Sequence, residues 1–140
     1  MSVASLAHAQ VPVLDNFGFE NPLTGASSFN SFLYNPGGSS WVFNGLSGIS
    51  GNNSGFTSGN PLAPEGIQVA FLQQSGSISQ TFSVADNITN FNVSFLAAQR
   101  STVVAQDSFQ TFNVYIDTTA IGTFTPGSTN YAALSTSNID

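Results

Sequence analysis

The stretch that decides the fold runs Gly66-Ile67-Gln68-Val69-Ala70-Phe71-Leu72-Gln73 and then, after a short Gln74-Ser75-Gly76 turn, Ser77-Ile78-Ser79-Gln80-Thr81-Phe82-Ser83-Val84. Both runs are rich in β-branched and aromatic residues, which favour strands. The second run alternates polar and apolar residues, as a half-buried strand does. Its apolar side chains are expected to face the core, with some from the first run: Ile78, Phe82, Val84, Val69 and Phe71. Two such strands around a turn predict an antiparallel β-sandwich, and the stretch carries no catalytic group.

The rest of the chain repeats this pattern of short strands and turns. Leu23–Ser40 is expected to be mostly loop, and Gly51–Gly66 is a second long loop of the kind that often carries function. No segment shows the spacing of an amphipathic helix. The chain is therefore predicted to be all-β, with seven or eight strands in a sandwich or jelly roll that spans residues 11–140. Further strands are predicted at 11–15, 41–44 (continuing toward Ile49 after Gly45), 91–97, 109–117, 120–124 and 131–134.

Charged residues are few, and this excludes several classes of partner. Only 6% of the 140 residues are charged, against about 25% in an average domain. Arg100 is the only base, and the net charge is -6. Such a chain has too few cations to bind the phosphate backbone of a nucleic acid, so no nucleic-acid partner is expected. Cysteine is absent, which excludes disulfides and thiolate metal sites, and no apolar run reaches the ~20 residues that membrane insertion needs.

The two ends of the chain suggest export and truncation. Ala7-His8-Ala9 before Gln10 matches the cleavage site of a secretory signal peptide. Residues 1–10 are therefore interpreted as a signal-peptide remnant or, failing that, a disordered tail. A secreted chain without cysteine favours a bacterial source. At the other end, the strand beginning at Tyr131 barely starts, so we expect either a C-terminal truncation or completion by a neighbouring chain.

Several motifs resemble the galactose-binding-like jelly-roll domains. They are Asn16-Phe17-Gly18-Phe19-Glu20, Trp41-Val42-Phe43, and the Gly66–Gln80 stretch with which this section opens. They are most similar to bacterial secreted proteins with a PEP-CTERM sorting signal and to plant cell-wall DUF642 domains. The resemblance covers about Val11 to Tyr131, and it implies carbohydrate binding and a structural Ca²⁺. By the same resemblance Glu20 would be a calcium ligand, with Asn16 beside it, and Ile139-Asp140 has the dipeptide of the partner acid but not the strand that should follow it.

Catalytic chemistry has little support in this sequence. The only histidine is His8, which lies in the signal-peptide remnant, so a Ser-His-Asp arrangement is not available. Glycoside hydrolysis needs two facing carboxylates, and among the interior acids only Glu20 and Glu65 form a pair that could converge. We therefore expect a protein that is not an enzyme.

Carbohydrate binding would use aromatic faces for stacking and amide or guanidinium groups for reading hydroxyls. Trp41 lies within an apolar strand and is expected in the core instead. Arg100 is expected either to bind ligand or to pair with Asp107 or another acid, because an unpaired buried guanidinium is costly. The candidate ligand-binding residues are Tyr34, Phe56, Gln73, Gln99 and Arg100.

Three functions thus stay open at the level of sequence. The first is a secreted, non-enzymatic module that binds glycans or lies in a cell-surface matrix. The second is a structural subunit of an extracellular filament or surface layer, completed by strand exchange between neighbouring chains. The third is a small accessory domain of a larger hydrolase.

Overall fold

The structure is a computed structural model that describes residues 12–25, 27–86, 88, 90–101 and 110–139. These residues form strands, turns and loops without a helix, so none of them builds a helix long and apolar enough to cross a membrane. The predicted all-β class is confirmed. The strands are β1 Phe32–Tyr34, β2 Val42–Asn44, β3 Ser47–Gly51, β4 Gln68–Leu72, β5 Ser77–Ser79, β6 Ser94–Ala97, β7 Phe112–Ile116, β8 Thr119–Phe124 and β9 Ala132–Ser135.

Every strand pairing in the described chain is antiparallel. One sheet has three strands in the order β1-β3-β4, and three further sheets pair β2 with β5, β6 with β9, and β7 with β8. A bridge between Phe91 and Ile139 extends the β6–β9 pairing. This arrangement is consistent with the predicted β-sandwich.

The two strands of the fold-deciding stretch do not pair with each other. β4 pairs with β3, whereas β5 pairs with β2 in a different sheet. The Gln74-Ser75-Gly76 turn is therefore a corner at which one long ribbon changes sheets, as bends and bulges allow. On the opposite strand Gly45, with φ +65°, makes the matching corner: a Cβ there would lie 3.5 Å from the Gly76 Cα.

Small residues on the central strand β3 set the spacing of the first sheet. All five residues of Ser47–Gly51 are buried. Gly48 stands opposite Tyr34 on one side and Phe71 on the other. A Cβ on Gly48 would lie 2.0 Å from the Leu33 carbonyl oxygen and 2.9 Å from the Phe71 ring. Glycine is thus required here by a close approach of backbone and ring.

The best-buried apolar side chains lie on this first sheet and its neighbour. Phe43, Ile49 and Phe71 are 7%, 0% and 8% exposed. Of the side chains expected to face the core, Phe71 is buried. The others are only half-buried: Val69, Ile78, Phe82 and Val84. Phe82 and Val84 lie beyond Ser79, where β5 ends.

A second aromatic group joins the two remaining sheets. Phe95 of β6 meets Phe112 of β7 and Phe124 of β8, with ring centroids 5.7 and 5.1 Å apart. β7 and β8, which correspond to the strands predicted at 109–117 and 120–124, are joined by a turn at Asp117-Thr118 and pair as a hairpin. Alternate residues of β7 are half-buried.

Several predicted strand boundaries are wrong. Residues 12–15 form no strand; instead the Gln80 side chain bonds both the N–H and the carbonyl of Asp15. The segment 23–40, expected to be mostly loop, also contains the three-residue strand β1. The run expected to continue toward Ile49 after Gly45 is divided there into β2 and β3. The strands at 91–97, 109–117 and 131–134 are present with shifted ends. Four predictions concern residues outside the described chain: the segment 1–10 with His8, Asp107, Phe109 and Asp140.

Replacement of Gly48 tests the packing of the central strand. Gly48→Ala should lower the free energy of unfolding by about 3 kcal/mol, the upper end for overpacking, because the clash is with backbone that cannot rotate away. Chemical denaturation measures the change. Gly127→Ala is the matched control, since nothing lies within 4 Å of its added Cβ. Equal stability of the two variants would contradict the packing described.

Burial raises the pKa of Tyr131 above the ordinary 10.0. The folded state therefore disfavours the tyrosinate, so this contribution to stability is complete below about pH 10 and is lost as pH rises through the folded pKa. The chain has no lysine or cysteine, so few other side chains can change charge at alkaline pH. Tyr131→Phe should flatten the fall in melting temperature above about pH 10, and the exposed Tyr115→Phe should not; identical alkaline profiles would contradict the assignment.

Candidate functional site

One face of the first sheet carries a contiguous group of aromatic rings. Tyr34 and Phe71 meet across Gly48, edge to face, with centroids 5.1 Å apart. Phe56, from the loop between β3 and β4, stacks flat on Phe71 at 3.8 Å. Phe32 meets Phe56 edge to face at 5.0 Å. The absence of a side chain at position 48 thus allows rings from three separate segments to gather.

Buried hydroxyl groups fix the loop that carries Phe56. Ser54 and Thr57 are 0% and 5% exposed. The Thr57 hydroxyl donates to the Gly51 carbonyl at 2.6 Å, the Phe56 N–H donates to the Ser54 hydroxyl at 3.1 Å, and Ser54 also bonds Ser50. This part of the predicted long loop is therefore ordered by its own polar side chains, and Phe56 is held in place rather than mobile.

Arg100 lies over the ring of Phe56. Its guanidinium carbon is 4.6 Å from the ring centroid, and Nη2 donates to the Gly55 carbonyl at 2.6 Å. Since Phe71 occupies one face of Phe56, Arg100 occupies the other, a cation–π arrangement. The expected acid partner Asp107 is outside the described residues. The bond seen here is to a carbonyl, and the buried Nε has no hydrogen-bond partner among the described residues.

Tyr34 and Gln73 lie side by side at the open end of this group. The Tyr34 hydroxyl donates to Gln73 Oε1 at 2.5 Å, and 42% of Tyr34 is exposed. Four of the five predicted ligand-binding residues therefore gather on one surface, which we call the aromatic patch. The aromatic patch consists of Tyr34, Phe56, Gln73 and Arg100.

Gln99, the fifth predicted ligand-binding residue, has a structural role. Its Nε2 donates to the Pro126 carbonyl at 2.6 Å and its backbone N–H donates to the Ser128 carbonyl. Its own carbonyl accepts a 2.8 Å bond from Asn60, which also donates to Thr129. Gln99 thus helps to join the loop after β3 to the later strands.

Trp41 is half-buried, with its indole engaged. Nε1 donates to the Asn16 carbonyl at 3.0 Å, and the ring packs on Phe19 at 5.1 Å. Both partners belong to the Asn16–Glu20 segment. Trp41 therefore holds that segment in place, but it precedes β2 and is only half-buried, so the prediction that it lies within a strand and in the core is wrong.

The two predicted calcium ligands make hydrogen bonds within the protein. Glu20 Oε1 accepts from the backbone N–H groups of Ile67 and Gln68, both at 2.9 Å, so it holds the start of β4. Asn16 Oδ1 accepts from the Asn21 N–H at 3.0 Å. These bonds give both residues a structural role within the protein.

Glu65 approaches Glu20, as the sequence predicted for this pair alone. A Cβ on Gly18 would lie 3.4 Å from the Glu65 Cγ and 3.7 Å from the Glu20 Cγ. Within the described residues, however, no group of three or more acidic, histidine or cysteine side chains could hold a metal ion. Backbone carbonyls and side-chain amides also bind Ca²⁺, so the calcium site stays a prediction.

Phe29 is an exposed aromatic residue that the sequence did not single out. Its side chain is 63% exposed, and its ring lies against Gly55, where an added Cβ would be 3.2 Å from Cζ. Its carbonyl accepts from the Gly55 N–H at 2.8 Å. Phe29 stands in a run of serines, and only its contact with the Phe56 loop, invisible in the sequence, places it beside the aromatic patch.

Comparison with known proteins adds no relative to these observations. No protein-family model, no curated protein and no solved structure matches the chain.

Replacement of Glu20 separates its hydrogen bonding from metal binding. Glu20→Ala should cost about 2 kcal/mol of stability, because two backbone N–H groups lose a charged acceptor. Glu65→Ala, an exposed glutamate nearby, should cost little. Both are measured by thermal melting with Ca²⁺ and with EDTA. A Ca²⁺-dependent rise in the melting temperature that Glu20→Ala abolishes would support the calcium prediction, and an unchanged melting temperature would contradict it.

Proposed function

We propose that this protein is a secreted, non-enzymatic carbohydrate-binding module, and that the aromatic patch is its contact surface. The observation that carries the proposal is the pairing of Tyr34 with Gln73 at 2.5 Å on an exposed aromatic surface. An exposed ring beside an amide combines the two groups that sugars need: an apolar face for C–H groups and a polar group for hydroxyls.

The polar part of the aromatic patch keeps capacity for a ligand. Tyr34 uses the carbonyl oxygen of Gln73, and no described residue accepts a bond from the Gln73 Nε2. That amide nitrogen has two N–H donors, which suits sugar hydroxyls. Gln73 is half-buried, so its donors are positioned more firmly than those of a fully exposed side chain.

Rigidity of the aromatic patch also supports binding. Phe56 is held between Phe71 and Arg100, and its loop is fixed by the buried hydroxyls of Ser54 and Thr57. A surface ordered before the ligand arrives loses little conformational entropy on binding. In this proposal Arg100 is a positioning residue, because its head group bonds Gly55 and covers Phe56.

The absence of catalysis belongs to the proposal as well. Glu20 and Glu65, the only acids expected to converge, are not members of the aromatic patch. Glu20 is already bonded to two backbone N–H groups. The aromatic patch itself has no carboxylate, so it lacks the acid–base pair of a glycosidase.

The resemblance to galactose-binding-like jelly-roll domains is also part of the proposal. The antiparallel all-β fold and the ordered Asn16–Glu20 segment support a galactose-binding-like jelly roll of the PEP-CTERM and DUF642 kind. A structural Ca²⁺ at Glu20 and a cell-surface location follow from that resemblance. Export and the bacterial source stay predictions from the sequence.

Mutation of Tyr34 tests the proposed surface. Wild-type protein should be retained on insoluble polysaccharides or on a glycan array, and Tyr34→Ala should weaken binding at least tenfold, or about 1.4 kcal/mol. Tyr115→Ala is the matched control, because Tyr115 is 54% exposed on β7. Thermal melting confirms that both variants are folded.

Failure of the wild-type protein to bind any glycan would contradict the proposal. The alternative is a structural subunit that assembles by strand exchange, which the many exposed apolar side chains would favour. Size-exclusion chromatography of the same samples distinguishes the two. A folded monomer that binds sugar supports the binding module; concentration-dependent assembly without sugar binding supports the subunit.

A further inference from the structure

Arg100 gives the aromatic patch a positive charge that no acid beside it neutralises. It is the only lysine or arginine of a chain whose net charge is -6. Within the described residues its guanidinium contacts the Phe56 ring and the Gly55 carbonyl, and no aspartate or glutamate forms an ion pair with it. A half-buried charge without a counter-charge is costly, so an anionic group of a ligand would be stabilised here.

The guanidinium also keeps hydrogen-bond donors for such a group. An arginine head group has five N–H donors. Nη2 of Arg100 donates to the Gly55 carbonyl at 2.6 Å, and Nε is buried without a hydrogen-bond partner among the described residues. Nη1 bonds no described residue and is not one of the buried atoms without a partner. The Nη1 edge is therefore the part of the guanidinium that a ligand can reach.

The position of this charge is set before a ligand arrives. Gln110 holds the backbone of Arg100 on both sides: its Oε1 accepts from the Arg100 N–H at 2.6 Å, and its Nε2 donates to the Arg100 carbonyl at 3.1 Å. The head group is fixed in turn by Gly55 and Phe56. A donor ordered in advance loses little conformational entropy when it binds.

Phe56 sets the distance between this charge and the exposed ring of Tyr34. The Phe56 centroid is 4.6 Å from the guanidinium carbon of Arg100 and 5.8 Å from the Tyr34 centroid. The guanidinium and the Tyr34 ring are thus no further apart than these two distances together. One short oligosaccharide is long enough to contact both groups.

The number of cations limits how much charge the ligand carries. One guanidinium pairs with one anionic group, and a protein with a net charge of -6 repels a densely charged polymer. Guanidinium and carboxylate form short, charge-assisted hydrogen bonds. A uronic acid is a sugar ring with a single carboxylate, so it combines that group with the apolar face and the hydroxyls that Tyr34 and Gln73 suit.

We propose that the aromatic patch binds an acidic oligosaccharide, in which one uronic acid carboxylate pairs with Arg100 while a neighbouring neutral sugar contacts Tyr34 and Gln73. This inference rests on the proposed carbohydrate binding and specifies its ligand class. It adds a direct ligand contact to the positioning role of Arg100.

The test compares neutral oligosaccharides that carry a single glucuronic or galacturonic acid with the methyl esters of the same compounds. Esterification removes the charge and leaves the rest of the sugar intact. In isothermal titration calorimetry the wild-type protein should bind the ester about tenfold or more weakly than the acid, because a charge-assisted bond is lost. Arg100→Gln should bind acid and ester with equal affinity. Asp117→Asn changes the net charge by one unit at an exposed turn outside the patch, so this control should keep the wild-type preference.

Two results would overturn the inference and leave the proposed function intact. One is equal binding of acid and ester by the wild-type protein, and the other is a preference for the acid that Arg100→Gln retains. Tighter binding of a sulfated oligosaccharide than of the uronic acid would overturn the assignment of a carboxylate. If no sugar of any kind binds, the proposed function fails together with the inference. Because the wild-type comparison needs no variant, it decides the inference even if thermal melting shows that Arg100→Gln is unfolded.

Discussion

The close approach of strands at Gly48 is the constraint on which the rest of the structure depends. Because position 48 has no side chain, Leu33 backbone and the Phe71 ring lie against it, and Tyr34 meets Phe71 across it. Phe56 then stacks on Phe71, and Arg100 covers Phe56. The lack of a side chain at Gly48 therefore affects both the spacing of the sheet and the shape of the surface that we propose binds carbohydrate.

Much of the fold could be predicted from local sequence, and the missed parts have a physical cause. The pairing of β7 with β8 around Asp117-Thr118 can be predicted from the sequence, because the strands of a hairpin are close together in the chain. Ser47–Gly51 was not recognised as a separate central strand, since serine and glycine have low strand propensity and only tertiary packing places them there. Phe32–Tyr34 was missed because three residues between loop-forming neighbours carry too little pattern. The corner at Gln74-Ser75-Gly76 was read as a turn, but the strands that it separates find their partners elsewhere in the chain.

The candidate site was predictable by residue type and not by arrangement. Tyr34, Gln73 and Arg100 are candidates because an aromatic face, an amide and a guanidinium are groups that can bind sugars. Their gathering depends on strand register and on a loop folded over the sheet, neither of which has a local signal. Gln99 has the same side-chain amide as Gln73, but its Nε2 donates to the Pro126 carbonyl. The position of Phe29 beside the aromatic patch is visible only in the structure, since its sequence neighbours are ordinary loop residues.

The most direct test of the account is an NMR titration of isotope-labelled protein with the oligosaccharide that binds best. We expect the amide resonances that shift to belong to residues 29–34, 55–56, 73 and 100, together with the side-chain amide of Gln73. Shifts that cluster instead around Glu20 and Glu65, with the aromatic patch unaffected, would contradict the proposed binding surface.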